Sequence, residues 1–251
     1  MMWFRRPEFD RYARFHSHGS AREIFDWDEL CDVQLPIPSI TRQREIVSEY
    51  ETLTNRIRLN EQMIQHLEST AQALYRKMFV DSIDKENLPE GWRMGMIEEL
   101  SEIKNGKTVI LTDGTIPVYG GNGIVGATDS PNAKDVIVIG RVGINCGSLF
   151  LHQGECYIND NAMIAKPKEN DLYFLYWLLK GMDLNSQSEG SGQPLLTQSI
   201  IYKQECVIPK LEKRKEFDDQ VAIIYKNKLL LEQENLKLTE LQSLLLARMG
   251  Q

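Results

Sequence analysis

The chain has 251 residues, 42% of them hydrophobic and 26% charged, with a formal net charge of −7. That length can bury a real core, and no apolar run approaches the roughly 18–20 residues that span a bilayer. The acidic balance counts against a free-standing basic DNA binder, although a small local patch can still carry such a contact.

The opening, MMWFRRPEFD, has two arginines with no apolar stretch behind them, so it does not read as a secretory signal. RPEFDRYARF, residues 6–15, is the next candidate helix. From there Ile46, Tyr50, Leu53, Ile57, Ile64, Leu67, Ala71, Leu74 and Met78 recur four and three apart, with Asn60 as a polar interruption. That is an a/d seam, and it predicts one long helix over residues 42–80, about 58 Å at 1.5 Å per residue. A helix of that length cannot be covered by one small domain. Its natural partner is a second such helix, packed antiparallel, or a helix of another subunit.

Residues 81–90 (DSIDKENLPE) are polar and acidic and read as a linker. From Gly91 to Cys206 the pattern is β-rich and punctuated by glycine. Strands are expected at 115–119, 135–139, 148–151 and 162–165, and DLYFLYWLLK (171–180) reads as a core helix. SQSEGSGQP (186–194) is a loop. A second long helix follows, from about Leu211 to Met249, with Phe217, Val221, Ile224, Leu231, Leu238 and Leu245 in the same phase as the first. Its remaining seam slots hold Lys228, Asn235 and Gln242, and extra leucines (Leu229, Leu230, Leu236, Leu241, Leu244, Leu246) widen its apolar surface.

The two helices are copies. Residues 17–78 align without a gap to 188–249, a constant offset of 171. SHGS meets SEGS, Ile37-Pro38 meets Ile208-Pro209, and Leu59, Leu67, Leu74 and Met78 meet Leu230, Leu238, Leu245 and Met249. By this repeat the last part of residues 1–35 corresponds to the C-terminal edge of the globular region. The fold expected is α+β: one globular β-rich domain plus two long antiparallel coiled-coil helices. Its map is an edge segment (1–35), a spacer helix (36–80), a linker (81–90), the globular domain (91–206) and a distal spacer helix (207–251).

Catalytic signatures are missing: no GxxxxGK[ST], no GxSxG, no HExxH and no Asn-Pro-Pro-Tyr or Asp-Pro-Pro-Tyr. Cys31, Cys146, Cys156 and Cys206 have no CxxC spacing. Neither a zinc site nor a disulfide scaffold is therefore expected, and a reducing, cytoplasmic setting is the simplest reading. GRVGINCG (140–147) follows a strand but lacks the order of a phosphate cradle. What remains are polar side chains on glycine loops: Lys104, Lys107 and Thr108; Tyr119 and Asn122; Arg141 and Asn145; Asn159 and Asn161; Ser191 and Gln193. Glycines make turns and such residues often only face water. They are also the chemistry that meets nucleic acid, Arg and Lys suiting phosphate and guanine, Asn and Gln suiting adenine. Residues 91–206 carry nine basic and thirteen acidic residues, so only a local stripe around Lys104, Lys107 and Arg141 could hold phosphate.

Several passages together resemble the specificity (S) subunit of type I restriction-modification systems. RPEFDRYARFHSHGSAREIFDWDELCDVQLPIPSITRQREIV resembles the end of a first target-recognition domain running into a spacer helix. NRIRLNEQMIQHLESTAQALYRKMFVD resembles that helix, and NLPEGWRMGMIEEL the opening of a second recognition domain. IPVYGGNGIVGATD, VIVIGRVGINCGSLF and CYINDNAMIAKP resemble its body. The family has two recognition domains, each reading half of a split DNA target, with the helices as a ruler. This chain departs from it in carrying one full domain and a stump, as a half-size form that dimerises or as a truncated, silent-cassette fragment.

The resemblance implies a non-catalytic protein that binds double-stranded DNA and methyltransferase (M) subunits. Those would hold S-adenosylmethionine, and a restriction/translocase (R) subunit would join for cleavage; no cofactor is expected in the chain itself. On this reading Lys104 and Lys107 hold phosphate, Arg141 holds base or phosphate, and Tyr119, Asn122, Asn145 and Gln193 read base edges, with Thr108 and Ser191 in the same loops. The other reading is an assembly module that binds methyltransferase subunits through its helices without reading DNA.

Overall fold

The computed structural model describes residues 3–19, 23–34, 37–81, 83–189 and 194–248. They form two compact units: one of residues 1–68 with 225–251, the other of residues 69–224. The elements in chain order are α1 (Pro7–His16), α2 (Trp27–Cys31), α3 (Ile40–Phe79), β1 (Arg93–Met96), α4 (Ile97–Leu100), β2 (Ser101–Asn105), β3 (Ile116–Gly120), β4 (Gly123–Thr128), β5 (Ala133–Gly140), β6 (Leu149–Ile158), β7 (Ala162–Pro167), α5 (Leu172–Lys180), α6 (Gln198–Tyr202), β8 (Glu205–Ile208) and α7 (Leu211–Arg248). The class is α+β, with two long helices and one mixed-sheet domain.

In the first unit α3 and α7 run antiparallel. Their polar contacts fall in opposite chain order: Thr54 with Gln242, Arg56 and Asn60 with Glu234, Asn60 with Asn235, Glu68 with Lys228. The sequence period sets which face is covered. Ile46, Tyr50, Leu53, Ile57, Asn60, Ile64 and Leu67 are buried or half-buried, while most residues between them are exposed. In α7, Lys228, Leu231, Asn235, Leu238, Gln242 and Leu245 are covered in the same phase. Of the extra leucines, Leu229, Leu230, Leu236, Leu241 and Leu244 face solvent and Leu246 is buried.

The second unit holds a six-stranded sheet in the order β2-β7-β5-β6-β3-β4 and a two-stranded ladder of β1 with β8. All pairs are antiparallel except β3 with β6. The apolar run of β5 explains its central place: Val136, Ile137, Val138 and Ile139 are fully buried. Helix α5 is apolar all round, and Tyr173 to Leu179 are all buried. One side meets β5, β6 and β7. On another side the aromatic rings of Tyr75, Phe79 and Phe217 close on Phe174 or on one another, at centroid distances of 5.0–6.3 Å. Asp218 of α7 accepts from the backbone N–H groups of Tyr173 and Phe174 at 3.0 and 2.8 Å and so caps α5 from another helix. Beside it, Arg214 pairs with the buried Asp171.

The repeat is visible as local geometry. The bridge His18–Ile24 recurs as Glu189–Leu195. Asp26 caps α2 by accepting from Glu29 N–H, and Thr197 caps α6 by accepting from Ile200 N–H. Helices α2 and α6 each have five residues, and α3 and α7 start at Ile40 and Leu211. Every one of these pairs is 171 apart. Burial is repeated only in part: Ile24 and its counterpart Leu195 are both exposed, but Ile208 is 6% exposed and Ile37 is 80% exposed, and Phe15 and Trp27 are open as well. The helix expected at 6–15 forms as α1, but it reaches to one residue before Ser17. Its nearest counterpart, α5, stops at Lys180 because a turn at Gly181 follows.

Candidate nucleic-acid interface

Strand pairing decides where the polar loops go. β2 and β5 end where β7 begins, Asn105 opposite Met163 and Gly140 opposite Ala162, while the β3–β4 turn joins them through the end of β6, since Tyr119 pairs with Ile158. Backbone bonds tie them together. Gly106 and Lys107 N–H donate to Ala162 and Ile158 carbonyls, and Asn159 N–H donates to Tyr119 O. Arg141 N–H donates to Asn161 O, and Gly143 N–H to Pro194 O at 2.9 Å. Ser148 Oγ donates to Gly121 O, and Leu195 bridges Val142. Gly106 is required by closeness: a Cβ there would lie 1.9 Å from the carbonyl oxygen of Asn159. Loops from five places in the sequence thus form one surface.

The side chains singled out in the sequence fall into three groups. Lys107, Thr108 and Asn122 are exposed on this surface, and Arg141 and Asn145 are half-buried in it. Thr108 Oγ1 donates to Asp160 Oδ2 at 3.1 Å, and Arg141 Nη1 to the Asp160 carbonyl at 3.4 Å. Arg141 Nε is buried with no hydrogen-bond partner among the described residues. Lys104 stands just off the cluster, within β2 and opposite Ile164, 3.5 Å from Glu102. Tyr119 is elsewhere: it is 8% exposed, in the core, with its hydroxyl bonded to His152 Nδ1 at 3.0 Å. The register shift between Val118 and Tyr119 lets both neighbours be buried, and the Tyr119 hydroxyl is taken up by His152. Ser191 and Gln193 lie outside the described residues. Sequence reading passed over Asp160, which holds Thr108, and Ile144, which stands 90% exposed between Arg141 and Asn145.

Among the described residues the surface has charge and amide chemistry. Cys146 is buried there, its thiol pushed up by burial, and it donates weakly to Arg141 O. Among the described residues no group of three or more His, Cys, Asp and Glu is placed to hold a metal ion. No helix of the described residues is long and apolar enough to cross a membrane. What the loops can do is offer cations to phosphate and amides to base edges.

The type I restriction modification DNA specificity domain, as a family model, matches residues 89–240, more than half of the chain. The chain belongs to this family. Among solved structures it resembles the type I restriction-modification S subunit from M. genitalium, with a TM-score of 0.67 at 19% identity, over 93% of this chain and 67% of that one. The HsdS subunit from Thermoanaerobacter tengcongensis gives 0.42 at 18% identity, over 96% and 66%. A chain from a structure of type I R-M complex assembly gives 0.47 at 18%, over 92% and 64%. At these identities the likeness to the M. genitalium subunit is one of fold. The chain spans about two thirds of the length of these relatives. No curated protein matches the sequence significantly.

Proposed function

We propose that this specificity-family chain binds double-stranded DNA through the loop end of its sheet domain and reads one half of a bipartite site. The observation that carries the reading is the gathering of residues 106–108, 121–122, 141–145 and 159–161 into one surface, joined by the loop that ends at Pro194 and Leu195. Lys107, with Lys104 nearby, supplies phosphate contacts. Arg141, Asn122 and Asn145 face base edges, with Ser191 and Gln193 as further contacts. The chain itself is non-catalytic. Methyltransferase subunits carrying S-adenosylmethionine methylate adenine where it directs them, and a restriction/translocase subunit joins for cleavage. The acidic chain leaves much of the phosphate contact to those partners. Free cysteines, three of them buried, suit a cytoplasmic setting.

The test is selection from a randomised duplex pool by the chain assembled with its methyltransferase subunits. An enriched sequence is the expected result, and recovery of no sequence would sink the reading. Within that assay Arg141→Ala should weaken the selected duplex by about 1–3 kcal/mol while non-specific binding changes less.

One observation favours a second reading, an assembly module without sequence preference. Leu229, Leu230, Leu236, Leu241 and Leu244 are exposed on α7, and a groove of about 420 Å³ lies between Glu49, Thr52 and Leu53 of α3 and Leu241, Leu244 and Leu245. A complex that forms with methyltransferase subunits yet binds all duplexes alike would select this reading. Homodimerisation belongs to the same surface, and subunit stoichiometry decides it.

A further inference from the structure

We propose that Ile144 is a specificity-determining residue that packs on the 5-methyl group of a thymine in the half-site. The proposal rests on reading the loop end as a DNA-recognition surface and names a contact that the reading does not contain.

Ile144 is the most exposed large hydrophobic residue described, at 90%. A single open isoleucine on a slack loop would need no explanation. This loop is held on both sides. Gly143 N–H donates to Pro194 O at 2.9 Å, Cys146 N–H to Gly143 O at 3.0 Å, and Ser148 N–H to Asn145 O at 3.1 Å. Asn185 Nδ2 donates to Cys146 O at 2.6 Å, and Gly147 N–H to Gly140 O at 2.8 Å. Gly143 sits at φ +70°, where a side chain is strained, although a Cβ there would touch nothing. The glycine is therefore present for its backbone angle, and that angle opens the one-turn 3-10 helix Gly143–Asn145 that carries Ile144.

The backbone that carries Ile144 is ordered before any partner arrives, so a contact costs only the rotamer freedom of one side chain. Its sequence neighbours are the polar Arg141 and Asn145, and Ser148 ties the loop to the Gly121-Asn122 turn. An apolar centre with a polar rim is the anatomy of a contact surface. In the major groove the apolar feature that distinguishes one base from the rest is the thymine methyl group.

The experiment uses the full chain with its methyltransferase subunits and the duplex recovered from the randomised pool. Each thymine is replaced in turn by deoxyuridine, which removes only the methyl group. The wild type should lose about fourfold in affinity at one position, the worth of one buried carbon. Ile144→Ala should lose a similar factor on the unmodified duplex and nothing further at that position. Its melting midpoint should match the wild type. Wild-type affinity in the variant, or undiminished sensitivity to every deoxyuridine, overturns the proposal while the recognition reading stands; the second result is what a wedge between base steps would give. A lowered midpoint assigns Ile144 to the fold and also overturns it. If the wild type enriches no sequence, the recognition reading fails first.

Discussion

Asp218 caps a helix that is not its own. Its two bonds to the Tyr173 and Phe174 N–H groups favour the carboxylate, but burial is the larger effect and pushes its pKa up to about 7. Asp171 and Asp219 raise it further, and Asp171 is itself pushed up by burial although Arg214 opposes this. A folded-state pKa above the ordinary carboxylate value means that the folded chain binds more protons between pH 4 and 7. This group's contribution is fully present below about pH 4 and is lost as pH rises through about 7. Asp218→Asn should therefore flatten the fall in unfolding free energy over that window, measured by urea titration at several pH values. None of this is legible in the sequence. Arg214 and Asp218 lie 43 and 47 positions beyond Asp171, and nothing local marks a cap that arrives from another helix.

At the scale of elements, the long helices were the legible part. A 4–3 spacing needs no tertiary information, and the covered face follows it from Ile46 to Leu67 and from Lys228 to Leu245. The polar slots carry more than the period could say. Lys228, Asn235 and Gln242 each meet a polar side chain of α3: Glu68, Asn60 and Thr54. Asn60 is 3% exposed and donates to both Glu234 and Asn235, with Arg56 also bonded to Glu234. Misaligning the pair by half a heptad would set the buried Asn60 against seam leucines and leave its amide without a partner, so these groups specify register at some cost in stability. Asn60→Leu combined with Asn235→Leu should raise the melting midpoint and, on native mass spectrometry or cross-linking, give more than one alignment or assembly. A lower midpoint with a single species would contradict this role. The strands were read less well. The sequence marks the four apolar ones, β6 by its first residues only; β1 (RMGM), β2 (SEIKN) and β8 (ECVI) are short or polar with partners far off in the chain, and β4 (GIVGAT), though next to its partner β3, is rich in glycine.

Taken whole, the molecule turns scattered glycine loops into a single surface through strand pairing and the hydrogen bonds that tie loop to loop. Sequence supplied the residue types for that surface, and placed Lys107, Asn122, Arg141 and Asn145 there. It could not separate them from Tyr119, because the facing of one ring depends on an irregularity in the β3 register and on His152, 33 positions away. The repeat has a practical consequence as well. Geometry is copied at an offset of 171 but coverage only in part, which leaves Phe15, Trp27 and Ile37 wet on a chain whose net charge alone opposes clumping. Weight-average mass by light scattering should rise with concentration more steeply in high salt than in low. Trp27→Ser with Ile37→Ser should remove most of that rise while leaving the melting midpoint within about 1 °C, since neither side chain is packed. The same residues that record the duplication are thus the place where the purified chain should first become sticky.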